Sequence, residues 1–389
     1  MQAYAAKGRK TAEFYSWSLV SGLWAGLPSL PYATHPNPHW ASKPPGKGSD
    51  GVCDARGSVF VLHGSSTLAW WRYDIPTGTW HVLADVPEGP SGKKVKGGTD
   101  LVYLRRADSG YVYCLKGPGC DFLRYDIAQD RWDQLAPLPA GGNGKWLYGS
   151  WLCCEHENAD VIYAHKAKYH ELYRYCPDGD SWSGDLGGMP FVGRSGRKKK
   201  SKDGGCAVWA GDDIFALKGG GSQELWRYDP GWGTWQEFDT MPSYGSTGKK
   251  RKVKGGAGIV YCPESGLAYA LKGNRTRELW RINLAWMVSP GGGSQAAASP
   301  RAPARVPGFR LAPNPLCGTR LSVCCDPGTG GPAAVTVLDP LGRVRLRGER
   351  TLPHSGRFEL DVARLGPGVY LVSLETGGSR QVEKLVIGR

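Results

Sequence analysis

Lysine and arginine are the side chains whose spacing carries chemistry in this chain of 389 residues, which has a net charge of +14. Lys93, Lys94 and Lys96 form one cluster, and Arg197, Lys198, Lys199, Lys200 and Lys202 a second. Lys249, Lys250, Arg251, Lys252 and Lys254 form a third, and all three lie in glycine-bearing stretches. Lys7, Lys116, Lys166, Lys218 and Lys272 stand differently, each ending a short apolar run: YAAKG, YCLKG, YAHKA, FALKG and YALKG. Like charges this close repel one another, and an anion relieves the repulsion. The KKRKVK run at 249–254 has the look of a nuclear-import signal, but GKKVKGG at 92–98 shows that it is a repeated element.

What must position these charges is an internal repeat. An aromatic residue, six residues and a Trp recur as Tyr73…Trp80, Tyr125…Trp132, Tyr175…Trp182 and Tyr228…Trp235, with Trp17…Trp24 as a variant. Each Trp is followed by a run ending in Pro (LADVP, LAPLP, LGGMP, FDTMP), then a basic glycine-rich linker, then an apolar strand. A period of about 50 residues holding four short strands is one propeller blade, and one blade cannot bury its own faces. The aromatic column and the glycines after the second strand resemble the kelch repeat, with Lys-Gly in place of Gly-Gly. The fold class expected is all-β: a six-bladed kelch-like propeller over 1–286 with an incomplete first and last blade. Residues 2–31 supply only strands b to d and 255–284 only strands a to c, with Ile282 in the Tyr position. The open first blade and the lack of an apolar leader segment predict that the gene product extends upstream of Met1.

Residues 287–308 read as a flexible Gly/Ala/Ser/Pro linker. Over 309–389 the pattern changes to alternating strands, which predicts a small immunoglobulin-like β-sandwich. LAPNP (311–315), LDPLGRV (338–344), LGPGVYLVSL (365–374) and KLVIGR (384–389) occur in the order that resembles the C-terminal sorting domain of type IX secretion substrates. The resemblance implies export to the outer-membrane surface or the medium, with the secretion machinery as partner of 309–389. No apolar run is long enough to cross a membrane as a helix. The eleven cysteines include no CxxC pair and are read mostly as small buried hydrophobes.

Some propellers of this type are enzymes, so the residues a reaction would need are the next question. His35, His39, His63, His81, His156, His165 and His170 have no spacing that selects a metal. PDGDSW (177–182) and PTGTW (76–80) fall short of a sialidase Asp-box register, and no nucleophile elbow or phosphate loop occurs. No catalytic residue, cofactor or metal is therefore assigned. Propeller geometry puts the linkers and the b-to-c turns on one face, and these hold 27 Lys/Arg but only three acids, Glu88, Asp121 and Asp203. The expectation is a secreted, non-enzymatic propeller that captures an acidic polysaccharide or lipopolysaccharide on this face. Lys7, Lys116, Lys166, Lys218 and Lys272 would ring the channel, with Lys93, Lys94, Lys96, Lys198, Lys199, Lys200, Lys249, Lys250, Arg251, Lys252 and Lys254 outside them. Nucleic acid is disfavoured because no aromatic residues interleave with the basic runs. A carbohydrate-active enzyme and a self-assembling surface-layer or filament component are the alternatives.

Overall fold

The computed structural model describes residues 2–284 and 309–388, apart from 9, 55, 107–108, 156–158, 160, 313–315, 317, 326–330, 341, 353–356 and 377–378. The 287–308 linker therefore lies outside the described residues. Along 2–283 the short β-rich runs form six antiparallel meanders. The first has three strands: Gln2–Ala6, Phe14–Ser18 and Trp24–Leu27. The second runs Asp50–Cys53, Ser58–Leu62, Trp70–Asp74 and Thr79–Val82, and the third Asp100–Arg106, Ser109–Lys116, Asp121–Asp126 and Arg131–Gln134. The fourth is Trp151–Cys153, Ile162–Lys166, Glu171–Cys176 and Ser181–Trp182, and the fifth Cys206–Ala210, Asp213–Leu217, Glu224–Asp229 and Thr234–Thr240. The sixth has three strands, Ala257–Cys262, Leu267–Lys272 and Leu279–Asn283. The first strands of sheets two to six neighbour one another in order, so they are the inner strands of a β-propeller.

Aromatic residues weld each sheet to the next, because a lone sheet leaves both its faces wet. Tyr125 packs on Phe60 of the preceding sheet at 6.0 Å between ring centroids, Tyr175 on Tyr113 at 6.1 Å and Tyr228 on Tyr163 at 5.9 Å. Trp17 of the first sheet makes the same contact with Tyr269 of the sixth at 4.9 Å, which closes the ring. The Trp column adds a directional bond. Trp80 Nε1 donates to Pro28 O at 2.8 Å, Trp132 to Ala84 O at 2.9 Å, Trp182 to Ala136 O at 3.1 Å and Trp235 to Gly187 O at 3.0 Å. Asp130 and Asp180 reinforce two of these joints. Each accepts its own sheet's Tyr hydroxyl (Tyr125, Tyr175) and the preceding sheet's backbone N–H (Ala84, Ala136).

Among the described residues the sixth sheet has three strands, and its edge shows two local features. Trp24, whose column position faces that side, is 44% exposed. A cleft of about 560 Å³ opens between the fifth sheet's outer strand and Leu279–Asn283, lined by Leu225, Phe238, Met241, Trp280 and Ile282 among others.

Beyond the linker, Phe309–Ala312, Arg320–Cys325 and Arg357–Asp361 form one sheet. Val344–Leu352, Gly331–Leu338, Gly368–Thr376 and Ser379–Ile387 form another, in that spatial order. Leu321, Val323, Val335, Val337, Val372 and Leu385 are the center of its core. Two of the signposts in the sequence hold structural contacts among the described residues. Gly342 takes a left-handed turn (φ 79°), which lets Asp339 receive the Arg343 N–H at 3.0 Å and its guanidinium at 2.8 Å. Tyr370 donates its hydroxyl to Gly366 O at 3.0 Å.

Replacing Trp132 by Phe keeps most of the packing but removes the bond to Ala84. It should cost about 1 kcal/mol, the usual net worth of one hydrogen bond, read as a shift of the chemical denaturation midpoint. An unchanged midpoint would show that the indole bond adds nothing to the joint.

Candidate functional site

The apolar strand that ends in Lys-Gly carries its lysine inward, not into a channel. Lys116, Lys166, Lys218 and Lys272 have no solvent-exposed surface, and each meets an acid at the start of the next strand. The ammonium–carboxylate distances are 3.0 Å for Lys116–Asp121, 3.4 Å for Lys166–Glu171, 2.6 Å for Lys218–Glu224 and 3.4 Å for Lys272–Glu278. Each ammonium also donates to a carbonyl where the linker enters its own sheet. Lys116 reaches Pro87 O at 2.9 Å and Glu88 O, Lys166 Ala140 O, Lys218 Phe191 O at 3.2 Å and Lys272 Pro242 O at 2.6 Å. The expectation that these four lysines belong to an anion-binding ring is corrected: a buried, neutralised ammonium has nothing left to offer a ligand. Lys7 keeps the pairing at the surface, 2.6 Å from Glu13, with 40% of its side chain exposed.

The two histidines in these turns are not charge substitutes either. His63 is buried and its Nε2 lies 2.7 Å from Lys43 O, so it performs the lysine's linker-binding task in the second sheet, where no acid follows. Burial holds its pKa below the ordinary value. His165 is stacked on Trp151 at 5.1 Å, and burial pushes its pKa down to about 3. Both are neutral at physiological pH.

The exposed charge comes from the linkers. In each basic linker the residues alternate: Val95, Ser201 and Val253 are buried, at 0%, 4% and 1% exposed. Extended backbone alternates side-chain direction, so the flanking lysines must point outward. Lys93, Lys96, Lys198, Lys200, Lys249, Lys250, Lys252 and Lys254 are exposed, and Lys94, Lys199 and Arg251 are half-buried. Lys47 and Lys202 are exposed on the same stretches, immediately before the inner strands. Lys202 belongs to the second basic cluster already read from the sequence, whereas Lys47 stands apart from the three clusters.

Linker ends from neighbouring sheets touch. A Cβ placed on Gly98 would collide with the backbone of Leu147, one on Gly149 with Lys202, and one on Gly204 with Lys254. All three glycines have positive φ. Backbones of successive linkers thus meet at Lys96, Leu147, Lys202 and Lys254. Just below, Asp50 and Asp100 open the inner strands of sheets two and three. Their carboxyls hydrogen-bond to each other, and they accept the N–H of Leu101 at 2.8 Å and of Leu152 at 2.6 Å. Burial raises both above the ordinary carboxylate range, and for Asp100 the charge of Asp50 adds to the rise.

Residues 311–388 match the family described as secretion system C-terminal sorting domain. The protein is secreted or displayed at the cell surface by the type IX route. No curated protein matches the chain. Among solved structures it is similar to an auxiliary nutrient binding protein from Bacteroides thetaiotaomicron, with 12% identity and a TM-score of 0.45. That match covers 69% of this chain and spans 63% of the other's length. A quinonprotein alcohol dehydrogenase-like protein from the same organism gives 14% identity, a TM-score of 0.40 and coverage of 87% and 74%. A periplasmic gluconolactonase from Pseudomonas aeruginosa gives 14% identity, a TM-score of 0.34 and coverage of 84% and 94%.

Two expectations test this site. Lys218→Met leaves Glu224 buried without its cation and should cost about 3–5 kcal/mol of stability, whereas Lys200→Met on the exposed linker should change stability by less than about 0.5 kcal/mol. Comparable small losses for both would return Lys218 to the surface. The second concerns Asp100. A carboxyl whose pKa is raised on folding contributes stability at low pH that is lost as pH climbs from its unfolded value through the folded one. Asp100→Asn keeps an oxygen for Leu152 and removes the titration. Its stability relative to wild type should therefore rise as pH climbs above about 4, the ordinary carboxylate value. A flat difference would mean that folding does not raise the Asp100 carboxyl.

Proposed function

We propose that this secreted propeller is a kelch-type, non-enzymatic binding module that captures an anionic polymer, an acidic polysaccharide or lipopolysaccharide, on its linker face. The observation that carries the reading is the split between two kinds of lysine. Those in the b-to-c turns are spent on buried acids and linker carbonyls, while those on the linkers are held outward by a buried residue between them. Folding thus neutralises the charge it can use and projects the rest on one face. Kelch type is supported by the Tyr and Trp column, whose members make the same joint in sheet after sheet.

The non-enzymatic reading rests on how the buried titratable groups are used. His63 and the four buried lysines hold linkers, and Asp50 and Asp100 hold neighbouring inner strands. Many weak ammonium contacts suit a flexible polymer, since each exposed pair contributes only about 0.2–1 kcal/mol and the sum decides.

Reversing Lys249, Lys250, Arg251 and Lys252 to Glu should abolish retention on a sulfated or uronic-acid matrix and leave the unfolding midpoint near wild type. Wild-type retention should collapse between about 50 and 500 mM salt, where the Debye length falls to about 4 Å. Retention that survives high salt would point to a neutral ligand and sink the polyanion reading.

A further inference from the structure

Three of the four ordered signposts of the sorting domain, separated in sequence, meet on one outward face. Cross-strand register sets Leu338 opposite Val344 on one side and Leu371 on the other, and Leu371 opposite Lys384. One row of side chains therefore crosses all four strands of the sandwich's four-stranded sheet. Val369 stands two residues from Leu371 and opposite Val386. Residues directly opposite, or two apart along a strand, share a face of the sheet. Leu338 and Val344 belong to LDPLGRV, Val369 and Leu371 to LGPGVYLVSL, and Lys384 and Val386 to KLVIGR.

This is not the core face. Val337, Val372 and Leu385 point the other way and are fully buried, whereas Val344 is 57%, Val369 42% and Leu371 38% exposed. A sheet with one wet face alternates apolar and polar residues, while strands covered on both faces read as continuous apolar runs. GVYLV and LVI are continuous, yet the core of the domain takes only alternate members of each. The other members form a patch whose apolar character folding does not explain.

We infer that this patch is the surface on which a protein of the type IX secretion machinery docks to read the sorting domain. The occupant follows from two observations. The domain matches a family defined by sorting through a secretion system. The patch is built from the very residues that carry the resemblance, brought together by strand pairing and left over by the core. Exposed apolar side chains gathered in one place mark a contact surface, whereas single ones do not. The charged residues in and beside the row, Lys384 and Arg347, are both cations and both exposed. The partner that fits is therefore apolar at its centre with carboxylates at its margin. A second copy of this chain would bring two more cations to the same patch and fits it less well.

The test follows export of the full chain, placed behind an inner-membrane export signal, in a bacterium that has type IX secretion. Leu371→Glu combined with Val369→Thr makes the patch polar and sets a carboxylate opposite Lys384, which favours the strand pairing. The exported fraction should fall at least about fivefold, with the protein held in the periplasm. The unfolding midpoint of the purified variant should stay near wild type, since both positions are exposed. If the midpoint falls, Val344→Gln on the edge strand carries the same test, with the same loss of export expected. Leu371→Met, which keeps the patch apolar, should be exported like wild type, and so should Arg320→Gln on the other sheet. Normal export of a folded variant with a polar patch overturns the docking surface. So does an equal loss in Arg320→Gln, because export would then not depend on this face. A wild-type chain that sediments as a dimer, and as a monomer once the patch is polar, assigns the face to a second copy and also overturns the proposal.

Discussion

The buried ammonium–carboxylate pair in sheets three to six is the interaction on which the placing of the linkers depends. A lysine with no exposed surface must find an anion and further acceptors, or it costs the fold several kcal/mol. Here the anion comes from the next strand and the remaining acceptor from the entering linker, as for Lys272 between Glu278 and Pro242 O. That second bond fixes the height of the linker over the sheet. With the linker fixed, the alternation around Val95, Ser201 and Val253 decides which lysines see solvent.

Aromatic packing does for the ring what the lysines do for the linkers. The same Tyr-on-aromatic contact recurs between successive sheets and again between first and sixth, where Trp17 takes the Tyr position. Beside this joint, Trp24 is exposed and a cleft opens next to Trp280.

The two halves of the chain answer different physical demands. The sorting domain folds around an all-apolar core, and its signature residues are turn formers and caps, such as Asp339 and Gly342. The propeller buries four lysines in ion pairs and leaves the basic residues of its linkers exposed or half-buried.

The sequence by itself determined the propeller repeat, the sandwich and its sorting role, and the clustering of basic residues on linkers. All of these are periodic or ordered along the chain, and local spacing encodes them. The acids that neutralise the inner lysines were also legible, as the Asp or Glu five or six residues after each Lys in CDFLRY, HELYRY, QELWRY and RELWRI. They were missed because the turn boundary was drawn at or just before them. Only the tertiary structure decided which lysines are free. Whether Lys218 faces solvent or Glu224 depends on where the linker from the previous sheet crosses, and that contact joins residues 27 apart.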